Sequence, residues 1–307
     1  MKSKTLRDPT FRNTPIFFLF LLPALVAFIV VQVVPFIIGV YYSFTEWTTI
    51  TSRDNDFIGF ENYRMIFTDV IFLHSFLVTT LYAGLMVFIV NFVAFLLATL
   101  VTRKLRFTSV YRAGFFLPNL IGGIILGYIW QFIFNNAVPA FGAAIGFQWL
   151  AENQFLANRW LTLGAIVTVG TWQYAGYIMM IYVAAIMGIS QSVIEAAEID
   201  GAHFGHVLRH IQLPLIAPAF TVSMFLTLVN SFKMFDVNYA LNAGGPSTQF
   251  MGMVIPSNEF LALNIYNTAF SFRRLAEGQA KAVVFFLIIT VFGLIQVYFN
   301  KKKELEM

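Results

Sequence analysis

Six stretches of this chain contain no Asp, Glu, Lys or Arg, and each is long enough to cross a bilayer. They lie between Arg12 and Glu46, Asp69 and Arg103, Arg112 and Glu152, Arg159 and Glu195, Arg209 and Lys233, and Lys281 and Lys301. A span needs roughly 20 apolar residues. The spacing therefore predicts helices near 16–42, 72–101, 110–134, 160–187, 214–233 and 281–300. The fold class expected is all-α and integral to a membrane, with six helices. With 59% hydrophobic and only 11% charged residues, a soluble globular domain is excluded.

The first stretch is no cleaved leader, being far longer than the roughly 7–15 apolar residues of a signal-peptide core. Cysteine is absent, so neither a disulfide framework nor thiol chemistry is available. The net charge of +4 has a topological origin. Basic residues gather at Lys2, Lys4, Arg7 and Arg12, at Arg103, Lys104, Arg106 and Arg112, and at Lys301 to Lys303. Six spans put all three clusters on one side, which the positive-inside rule makes cytoplasmic, and Arg273 and Arg274 weaken that bias without reversing it. Both termini are then cytoplasmic, the protein is a multi-pass membrane component, and no nucleic-acid partner is implied.

No Pro-, Ser- or Gly-rich linker divides the chain, so residues 1–307 read as one membrane domain. Gly123 and Gly127 have the GxxxG spacing that permits close helix contact within the bundle. Pro23, Pro35, Pro214 and Pro218 predict kinks or helix starts. The segment 57–67, FIGFENYRMIF, has apolar residues at helical spacing and is expected as a short surface helix. No GxxxxGK[ST] is present, so uphill work must draw its energy from elsewhere. Lys233 and Asp236, spaced for one helical face, are expected to pair with each other.

Residues 195–214, EAAEIDGAHFGHVLRHIQLP, interrupt the apolar pattern. Glu195, Glu198, Asp200 and Arg209 would each cost about 2.5–3.5 kcal/mol at the centre of a membrane helix, so this island lies in water. Its length suits two short helices hinged at Gly201, where glycine permits a turn that a side chain would obstruct. Phe204, Val207 and Leu208 give the second helix an apolar face. His203, His206 and His210 share a helix face with Glu198 and Asp200 nearby, an arrangement a zinc hydrolase could use. The spacing is not HExxH and no acidic base is fixed between the ligands, so solvated histidines are favoured and no metal is expected.

The island resembles the EAA loop of permease subunits in binding-protein-dependent ABC importers. Glu195-Ala196-Ala197, Gly201, Ile211, Leu213 and Pro214 stand at that family's spacings, between the fourth and fifth of six spans. The likeness extends to the sugar-importing, maltose or multiple-sugar branch through FIGFENYRMIF, YRAGFFLPNLIGG (111–123) and SFKMFDVNYALNAGGP (231–246). It implies a six-helix type I importer domain whose loop at 190–213 docks into a separate ATPase. Glu195, Ala196, Ala197, Asp200, Gly201, Ile211, Leu213 and Pro214 would form that coupling element. The implied partners are a second homologous permease in a heterodimer, two cytoplasmic ATPase subunits and an extracytoplasmic sugar-binding protein. ATP and Mg would sit on the ATPase, no cofactor on this chain, and the chain itself would be no enzyme.

Two polar stripes interrupt otherwise apolar helices: Gln173, Tyr174 and Tyr177 in the fourth, and Thr227, Asn230 and Ser231 with Met234 in the fifth. Polar groups at membrane depth need partners across the bundle or in a water-filled cavity. Amides and hydroxyls suit sugar hydroxyls, and aromatic rings suit sugar C–H faces. The resemblance to maltose-type permeases nominates the same seven residues as the substrate path. The expected function is ATP-driven import of a sugar or oligosaccharide by alternating access. The alternatives are an ABC permease for an acidic or phosphorylated sugar, an ion-coupled carrier, and a membrane metallohydrolase.

Overall fold

The computed structural model describes residues 10–48, 56–103 and 106–305. Lys2, Lys4, Arg7 and Lys104, on which the charge asymmetry partly rests, lie outside these residues, as do the side chains of Arg12 and Lys301 to Lys303. The chain divides into two compact units. One takes in the described residues up to Ile66 together with Thr268–Val283, and the other Phe67–Asn267 with the segment from Val284 onward.

In the first unit, α1 (Thr10–Phe28) passes through a π turn at Ile29–Val33 into α2 (Val34–Tyr42). Pro35 opens α2, where its missing N–H costs little, whereas Pro23 is carried inside α1. The short helix expected in 57–67 is α3 (Glu61–Thr68). Asn62 ties it back by donating to the carbonyls of Ser43 (2.8 Å) and Thr45 (2.9 Å), while the Tyr63 and Ser43 hydroxyls share a hydrogen bond of 2.6 Å. This unit also holds a buried ion pair: Lys281 Nζ lies 3.2 Å from Glu277 Oε1 and donates to Thr268 Oγ1 at 2.9 Å.

The second unit is built on α4 (Val70–Val101). Its start is set by Asp69, whose carboxylate accepts from the N–H groups of Ile71 and Phe72. The third apolar stretch, expected as one helix near 110–134, is broken instead. α5 (Thr108–Phe116) ends in a 3₁₀ turn at Leu117–Leu120, and α6 (Gly123–Phe132) starts after Gly122. Pro118 cannot donate to an α-helical ladder and glycine is a poor helix former, so the chain unwinds there. It then passes through a second π turn into α7 (Val138–Ala144) and α8 (Gln148–Glu152).

α9 (Arg159–Met187) is capped by Asn158, which accepts from Trp160 and Leu161 N–H. Its small residues let other segments approach closely: a Cβ at Gly176 would collide with the Phe115 carbonyl, and one at Gly170 would meet Tyr82 and Met86. Tyr82, Met86, Val90, Ile166, Met179 and Tyr182 form the centre of the core.

The island follows as α10 (Gln191–Ile199), α11 (Phe204–Val207), a π turn at Leu208–Gln212 and α12 (Leu213–Leu215). It leads into α13 (Ala217–Phe232), with Pro218 in the first turn. α10 is bent 69° from α9, and the segment Phe204–Leu215 is bent 68° from α13. α14 (Asp236–Asn242) leads to the hairpin β1 (Ser247–Phe250) and β2 (Met253–Pro256). Its turn residues Met251 and Gly252 both have positive φ, as a type I′ hairpin turn requires. α15 (Leu261–Tyr266) and α16 (Leu275–Leu305) complete the chain. Among the described residues four helices are long and apolar enough to cross a membrane, and six if each bent pair counts as one span.

Candidate functional site: a hinged loop and a polar cavity

Gly201 has φ +85°, and a Cβ built on it would meet nothing within 4 Å. The glycine is therefore required by the sign of the backbone angle rather than by space. It separates α10 from α11, so the two-helix hinge expected from the sequence is present in shape. Glu195, Ala196, Glu198, Ile199 and Asp200 are exposed on α10 and its end, with Ile199 at 86%. Ala197, Ile211, Leu213 and Pro214 are partly covered. Val207 is the one fully buried side chain of the loop's second half. A cavity of about 450 Å³ opens behind the loop, with Arg103, Ile194, Glu198 and Phe204 on its wall. Arg103 stands over the Phe204 ring, its guanidinium carbon 4.4 Å from the centroid.

The three loop histidines do not converge. The rings of His206 and His210 stack with centroids 4.1 Å apart, and the centroids of His203 and His206 are 6.2 Å apart. Among the described residues no group of three or more His, Cys, Asp or Glu is placed to hold a metal ion.

The two polar stripes meet in part. Gln173 and Tyr174 of α9, Asn230 of α13 and Met234 just beyond it line one cavity of about 190 Å³. The broken third stretch supplies another wall through Gly123, and Gln173 Nε2 donates to the freed Ile121 carbonyl at 3.2 Å. Unwound backbone deep in a bundle is tolerated where a side chain or a cavity satisfies it. The remaining nominated residues lie elsewhere. Tyr177 packs against the core, while Thr227 and Ser231 donate to the Ser223 and Thr227 carbonyls and face the interior.

Lys233 and Asp236 also line the cavity, and no ion pair joins them among the described residues. The expected pairing assumed a continuous helix, but α13 ends at Phe232 and α14 begins afresh at Asp236. A count of three residues across a break does not set two side chains on one face. Two further groups escaped the sequence reading. Glu277 and Lys281 are buried on α16, although their i, i+4 spacing was available as a signal. Asn91, the one polar side chain of α4 between Tyr82 and Thr99, joins Tyr182, Ser223 and Thr227 in a buried network.

A family profile described as "Binding-protein-dependent transport system inner membrane component" matches residues 109–305. The probable starch degradation products transport system permease protein AmyD of Thermoanaerobacterium thermosulfurigenes is 44% identical, covering 97% of this chain and 98% of its own. The multiple sugar-binding transport system permease protein MsmF of Streptococcus mutans is 28% identical over 93% and 95% of the two chains. A solved structure of a bacterial ABC transporter that imports the acidic polysaccharide alginate contains a similar chain. It is 20% identical, with a TM-score of 0.79 over 95% of this chain and 96% of that one. At that identity the likeness carries the fold, the type I ABC importer transmembrane domain.

Proposed function

The chain belongs to the binding-protein-dependent transport system inner membrane components, and on that premise we propose that it is the permease through which an ABC importer moves a sugar or oligosaccharide into the cytoplasm. It is a transport component of a membrane, not an enzyme. It pairs with a second homologous permease, receives substrate from an extracytoplasmic binding protein, and works against two ATPase subunits that hold ATP and Mg. The chain itself carries no cofactor. Both termini and the loop around Gly201 face the cytoplasm of a bacterial cell.

The observation that carries this reading is the meeting of Gln173, Tyr174 and Asn230 in one cavity beside the broken third stretch. An amide donor and acceptor, a second amide and a phenol ring are the groups a sugar's hydroxyls and C–H faces call for. At about 190 Å³ the cavity is smaller than the roughly 300–1,000 Å³ of a complete small-molecule site, which fits a path whose other wall belongs to the partner permease. The relatives that handle starch degradation products and multiple sugars support the substrate class. The residues nominated for the path are Gln173, Tyr174, Asn230 and Met234 at its wall, with Tyr177, Thr227 and Ser231 shaping the helices behind them.

The coupling element is the hinged loop. Glu195, Ala196, Ala197, Asp200 and Gly201 present α10 to the ATPase, while Ile211, Leu213 and Pro214 join the loop to α13. Nucleotide-driven closure of the ATPase pair displaces the loops, and the helices turn between inward-open and outward-open states. Replacing Gly201 by Val forces a β-branched residue into φ +85° and should abolish uptake and release the ATPase, with membrane insertion unchanged. Normal co-purification and transport in that variant would refute the coupling role. Asn230→Ala and Tyr174→Ala should impair uptake in an intact complex, and unchanged kinetics in both would remove the cavity from the path. A tag after Met307 should react with impermeant reagents only from the cytoplasmic side.

A second reading, import of an acidic or phosphorylated sugar, is favoured by Lys233 on the cavity wall. Asp236 on the same wall offsets that cation, so a neutral sugar is preferred. Uptake by the reconstituted complex of uronate but not of neutral oligosaccharides would reverse the preference.

A further inference from the structure

The network noted at Asn91 occupies a particular place. Tyr182 Oη donates to Asn91 Oδ1 at 2.6 Å and shares a 2.5 Å hydrogen bond with Ser223 Oγ, while Asn91 Nδ2 reaches Thr227 Oγ1 at 3.3 Å. Tyr182 and Ser223 are 0% exposed, Asn91 3% and Thr227 4%. The four residues come from three helices, α4, α9 and α13. The rings of Phe95 and Phe220 lie 6.0 and 4.7 Å from that of Tyr182 and close it off from water. With no solvent competing, such bonds hold their helices more firmly than the same groups would at a surface. Every group in the network has a protein partner, so it is not a vacant ligand site.

Its height is informative. α9 reaches the loop at Gly188, and Tyr182 stands six residues before it; α13 leaves the loop at Ala217, and Ser223 stands six residues after it. At about 1.5 Å per residue both lie roughly 9 Å up their respective arms. The loop is thus the tip of a hairpin whose two arms are bolted together just above the bend, with α4 bolted to both. Further along the same arms stand Gln173 and Tyr174 on α9 and Asn230 on α13.

We propose that Tyr182 is a positioning residue whose hydroxyl clamps α4, α9 and α13 into one moving body, so that a displacement of the loop reaches the polar cavity without being lost as sliding between helices. The inference rests on the reading of the loop as the coupling element. Without the clamp, a push on the loop would shear α9 against α13, and ATP would be hydrolysed with little cargo moved.

The test uses the whole complex in proteoliposomes, measuring sugar moved per ATP hydrolysed. Tyr182→Phe keeps the ring among Phe95 and Phe220 and removes only the hydroxyl. It should lower that ratio about tenfold while hydrolysis and ATPase co-purification persist. An unchanged ratio overturns the clamp, including the case where yield and thermal stability fall but the ratio holds. Because the chain has no cysteine, Tyr182→Cys with Ser223→Cys can be bridged by a short bifunctional thiol reagent. Bridging should restore the ratio toward that of the unsubstituted complex. A bridge that blocks transport would mean the arms slide during the cycle, and the proposal would fall. The loop reading fails separately, through a Gly201→Val complex that keeps its ATPase and its uptake.

Discussion

The first and fourth apolar helices look alike in a charge map and have opposite fates in the fold. From Phe17 to Tyr42 no residue is buried. Along α9, 15 of 29 residues are buried, among them Ala165, Gly170, Ala175 and Gly176. The contrast comes from side-chain size. α9 places glycine and alanine where the Phe115 backbone and the Tyr82 and Met86 side chains come in. The stretch FFLFLLPALVAF has only Ala24 and Ala27 small among bulky groups, so it offers little face for another backbone to approach. Without a hydrophobic drive between helices in lipid, small residues decide which helix is enclosed.

That contrast can be broken by adding single methyl groups to α9. Gly176→Ala drives a Cβ into the Phe115 carbonyl, a rigid backbone neighbour, and should cost about 3 kcal/mol, read as loss of folded protein in detergent melting. Gly170→Ala meets the movable end of Met86 and the Tyr82 hydroxyl at 2.7 Å, so a smaller loss of about 1–2 kcal/mol is expected in the same assay. Gly164→Ala has open space around it and should gain up to about 1 kcal/mol from helix propensity. In the first helix, Phe20 is 79% exposed, and Phe20→Ala should shift the melting of the isolated chain by no more than about 0.5 kcal/mol. Equal losses at Gly164 and Gly176, or a large loss at Phe20, would mean that side-chain size is not what separates the two helices.

What could be read from the residues, and what could not, follows the same line. Charge-free length located the long helices, because the cost of a charge in hydrocarbon dwarfs every local preference. The Gly201 hinge was readable because a charged, glycine-centred island has few other ways to fold. The break after Phe116 was not, since Pro118 and Gly122 sit in an apolar run where composition predicts continuity. The polar stripes were legible as stripes but not as a site. Helical spacing placed Thr227 and Ser231 beside Asn230, yet only the packing of α4 against α13 decides that the first two turn inward and the third toward the cavity. Lys233 and Asp236 show the same limit, for periodicity holds only while the helix does.

The buried pair on α16 carries a consequence for how this gene can vary. Lys281 is 2% exposed and Glu277 8%, and each neutralises the other within one helical turn. Glu277 Oε2 also lies 3.3 Å from Arg274 Nη1, so loss of Lys281 leaves the carboxylate with one cation, whereas loss of Glu277 takes that carboxylate from both cations and should cost about 3–5 kcal/mol. The two codons are therefore unequal: a viable route to an uncharged pair neutralises position 281 before position 277, not the reverse.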